Sequence, residues 1–164
     1  VGLLVATDGA LRLPRGLPAA ALVTSSPPGA FYQDHPVVDD MKVTLEYDLG
    51  APLASPRWLD GYQAFRGLQY HPGLAIIVDV RLMVPGAGTC SPVGWSALPV
   101  FEREGAYVAG GMYQLPLFNG VPSRSILKDM ANERDVDAVI VRYLQASDAD
   151  ADGCCGRPST AGAE

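Results

Sequence analysis

Between Pro92 and Pro122 the chain reads PVGWSALPVF, then EREGAYVAGGMY, then QLPLFNGVP. Two apolar runs, one ending Leu98-Pro99-Val100-Phe101 and the other Leu115-Pro116-Leu117-Phe118, stand on either side of a charged, glycine-containing turn. Residues such as Val93, Trp95, Ala97 and Leu98 suit a half-buried strand. A proline late in such a strand removes a ladder donor and confines it to a sheet edge or a bulge. The stretch therefore predicts antiparallel β-structure and offers no catalytic group.

The rest of the chain repeats this grammar. Eighteen glycines and 14 prolines lie scattered between apolar runs, as many short strands and turns require. Expected strands are Gly2 to Thr7, Ala19 to Ser26, the alternating Met41 to Leu49, and Trp58 to Phe65 with Trp58, Tyr62 and Phe65 as core candidates. The run LAIIVDVRLMV after Gly73 is the most apolar and, bounded by glycine and proline, reads as a central strand rather than a buried helix. Ser123 to Asn132 is the one expected helix, with Ser123 or Ser125 as cap and Ile126, Leu127, Met130 and Ala131 at helical spacing. Asp137 to Leu144 is the last strand. The organisation is an eight-stranded, all-β domain over 1–146, with one short helix before the last strand, followed by an acidic, low-complexity tail over 147–164.

At 164 residues and 48% apolar content the chain is long enough for one packed core. A formal charge of −6 argues against a nucleic-acid binder, which carries a basic face, and against constitutive attachment to anionic lipid. No run of 18 apolar residues is present, and the opening VGLLVATDGALRLPR lacks the basic start of a signal peptide, reading instead as a strand entered mid-chain. The chain is therefore expected to be a piece of a longer protein. Three cysteines, Cys90, Cys154 and Cys155, are an odd count with two adjacent, which points to reduced thiols and a cytoplasmic setting.

The opening LLVATDGALRLP, then RWLDGYQAF, LAIIVDVR, PVGWSALPVF and QLPLFNG, taken in order, cover most of residues 1–146. In order and spacing they resemble the C2 domain, an antiparallel β-sandwich. The tandem GWSALPVF and YQLPLFNG strands are most similar to C2-like modules of large ciliary and axonemal coiled-coil proteins, of the coiled-coil domain-containing protein 17 kind. That resemblance implies a parent chain rich in coiled coil and a docking role on a microtubule-based structure such as the axoneme of a cilium.

Calcium-binding C2 domains hold the ion with carboxylates on the loops after the opening and central strands, and calcium needs six to eight oxygens. Here those loops read RLPRGLP and RLMVPGAGTCSP, without an acid; Asp8 and Asp79 fall inside strands. No metal site and no cofactor is expected. The tail segment DADADG at Asp148 to Gly153 opens like an EF-hand loop, but its twelfth position is Ser159 in place of glutamate. Asp34, His35, Asp39 and Asp40 lie close together without a nucleophile, GxSxG motif or phosphate loop to serve, so no catalytic residue is assigned.

The expected function is a non-enzymatic, calcium-independent protein-interaction module of a larger intracellular scaffold, its partners other proteins of the assembly. Trp58 and Trp95 are candidate interface anchors, although their strand positions favour core packing. The alternative is a peripheral phospholipid-binding domain, with Arg12 and Arg15 as a basic face and Leu82 and Met83 as apolar loop tips. Arg57, Arg66 and Arg81 could extend that face or simply be solvated.

Overall fold

A computed structural model describes residues 2–14, 16–26, 41–71, 73–102, 106–119 and 138–146. The described residues are all-β, with no helix among them, in two four-stranded antiparallel sheets. The strands are β1 (Gly2–Leu11), β2 (Ala19–Ser26), β3 (Lys42–Val43), β4 (Gln63–Phe65), β5 (Ala75–Met83), β6 (Cys90–Pro99), β7 (Gly111–Pro116) and β8 (Ala138–Ala146). One sheet has the order β4-β1-β8-β7 and the other β3-β2-β5-β6. The expected helix at Ser123 to Asn132 and the tail after Ser147 lie outside the described residues.

Alternation along the strands builds the layer between the sheets. Leu3 and Val5 of β1 and Phe65 of β4 meet Val23 of β2, Val78 and Val80 of β5 and Leu98 of β6 in one buried cluster drawn from both sheets. Each such aliphatic side chain, fully withdrawn from water, contributes about 1.5–3 kcal/mol before entropy is counted. The other face of β5 is buried as well: Ile77 packs with Ala75, Trp95, Ala97 and Phe118 in a second cluster. Burial on both faces is why this run is apolar without alternation.

The two tandem strands around the charged turn part company. β6 pairs with β5 and β7 with β8, so they are outer strands of different sheets. Between them Val108 donates to Val100 and Glu102 to Ala106, turning the chain over the end of the layers. The prolines sit where a missing N–H is tolerated. Pro92 falls at the register shift opposite Val80 and Arg81, and Pro99 and Pro116 end their outer strands.

β8 is Ala138–Ala146 where Asp137 to Leu144 was expected, and three other strands differ more. β1 runs on to Leu11 because Asp8 is accommodated in an irregularity between Thr7 and Gly9, after which pairing with β8 resumes. Only Lys42 and Val43 of the Met41 to Leu49 run pair with β2; Thr44 adds a last tie, its N–H donating to the Ala21 carbonyl and its hydroxyl accepting the Ala21 N–H at 2.9 Å. Trp58 to Phe65 is interrupted at Gly61, whose φ of 70° is a left-handed conformation, so only Gln63–Phe65 joins β1.

Candidate functional site

The segment freed by these interruptions forms a ribbon of its own. Tyr47 and Trp58 pair in an antiparallel bridge, Leu59 donates to the Glu46 carbonyl at 2.9 Å, and Asp48 donates to that of Arg57 at 3.0 Å. The Asp60 carboxylate accepts the Leu45 N–H at 2.6 Å and the Glu46 N–H at 3.3 Å, which locks the base. At the tip, Asp48 accepts the Gly50 N–H on its side chain and the Ala51 N–H on its carbonyl. This doubly bonded turn presents Leu49 with 97% of its surface exposed.

The ribbon is tied to both sheets. Trp58 is buried, its backbone N–H donating to the Asp8 carbonyl and its indole N–H to the Ala19 carbonyl at 2.9 Å. Ala10 donates to Pro56 and Leu13 to Ala54, which lays the returning strand along the end of β1. Between ribbon, the start of β2 and the end of β5 opens a groove of about 270 Å³. Its walls include Pro18, Tyr47, Leu49, Pro52, Leu53 and Met83. Its charged members, Asp48 and Arg57, face each other at 3.7 Å. Tyr47 holds its phenol proton more tightly than usual, first because it is partly buried and then because the Asp60 carboxylate and Cys90 oppose a further negative charge.

Of the residues singled out in the sequence, Met83 and Arg57 line this groove. Trp58 and Trp95 are core: Trp58 is 3% exposed and Trp95 fully buried against Phe118, so neither anchors an interface from the surface. Leu82 is no loop tip; it points inward at the end of β5, 3% exposed, because alternation from Val80 places it in the core. Arg12 is exposed at a left-handed φ of 59°, its N–H directed at the Ser55 hydroxyl, and Arg15 lies outside the described residues.

Asp8 and Asp79 belong to different sheets. Asp79 is buried and takes two hydrogen bonds from the Arg81 guanidinium, at 2.9 and 2.8 Å. His71 accepts the Gly73 N–H and so shapes its own turn. Among the described residues no group of three histidine, cysteine or acidic side chains is placed to hold a metal. The clusters at Asp34 to Asp40 and Asp148 to Gly153 lie outside them.

The groove was missed in the sequence. Leu49 was expected to end the strand Met41 to Leu49, and Leu53 follows it in a proline-containing stretch, so neither was singled out. Compared with protein-family models and with curated proteins, the chain matches none of either.

Proposed function

We propose that this chain is a non-enzymatic, calcium-independent protein-docking module with a C2-like sandwich architecture, part of a larger intracellular scaffold. The observation that carries the reading is the apolar groove beside a leucine held out by a hydrogen-bonded turn. Exposed apolar surface in a concave, preorganised setting is what recognition of another protein requires. The C2-like topology and the axonemal setting rest on the sequence resemblance, and the acid-free loops support independence from calcium.

Selection of displayed peptides on the whole chain tests the reading, together with co-sedimentation with phosphatidylserine vesicles with and without calcium. The expected result is peptide binders that Leu49→Asp abolishes, and no pelleting with vesicles. Pelleting that requires calcium, or binders indifferent to Leu49, overturns it.

A further inference from the structure

We draw no further inference here: the strongest candidate, the groove between the ribbon, the start of β2 and the end of β5, belongs to the site already described, and nothing in the structure shows what covers it.

Discussion

Trp95 and Phe118 exchange two backbone hydrogen bonds, N–H to carbonyl at 2.9 Å in one direction and 2.8 Å in the other. β6 belongs to one sheet and the strand leading to Phe118 to the other, so this bridge sews the sheets together along one side. Their rings also pack, 5.8 Å apart and tilted.

The approach is close enough to exclude a side chain at the preceding residue. A Cβ at Gly94 would stand 2.9 Å from the Phe118 carbonyl oxygen, a backbone atom that cannot step aside without opening the bridge. Gly94→Ala is expected to lower stability by about 1–3 kcal/mol. Urea denaturation followed by tryptophan fluorescence measures it, and an unchanged midpoint contradicts the account.

Gly9 carries the same constraint on the opposite side, more severely. A Cβ there would lie 2.4 Å from the Pro56 carbonyl oxygen, the oxygen that accepts the Ala10 N–H. Gly9→Ala is expected to be more damaging than Gly94→Ala and to loosen the ribbon from β1. Faster amide exchange at Ala10 and Leu13, both donors to the ribbon, is the signature to look for.

Trp58→Phe keeps a ring in the core but removes the donor to the buried Ala19 carbonyl. An acceptor left without its partner costs about 1–3 kcal/mol. Thermal unfolding of the variant is expected to occur at lower temperature, whereas an unaltered midpoint means that the indole bond adds nothing.

Tyr47 gives a pH dependence whose sign can be worked out. Its folded pKa lies above the ordinary 10.0, so the fold favours the neutral phenol. The contribution is fully present below pH 10.0 and is lost as pH rises from there through the folded value, because the unfolded chain ionises first. Tyr47→Phe is expected to flatten that part of the alkaline unfolding curve; a parallel curve in the variant contradicts the assignment.

Much of the strand grammar was legible because it depends on near neighbours in sequence. Ala19–Ser26 was bounded correctly, and the run from Leu74 to Val84 contains β5 with one residue to spare at each end. What could not be read depends on remote partners. Met41 to Leu49 alternates as a single strand should, yet Thr44 is the last residue tied to β2, and beyond it Asp60 claims the Leu45 and Glu46 N–H groups. The groove brings together Pro18, Leu49 and Met83, whose separation in the chain leaves no local pattern. The tryptophans, by contrast, were weighed correctly toward the core, since their placement in strands decides their burial.

The ribbon leaves the sheet of β2 after Val43 and enters that of β1 at Gln63, with Trp58 bonded to Asp8 on one side and Ala19 on the other. A pull on Leu49 is therefore divided between both sheets. The arm is in this sense a clasp, joining two layers whose strands pair with other strands only within their own sheets.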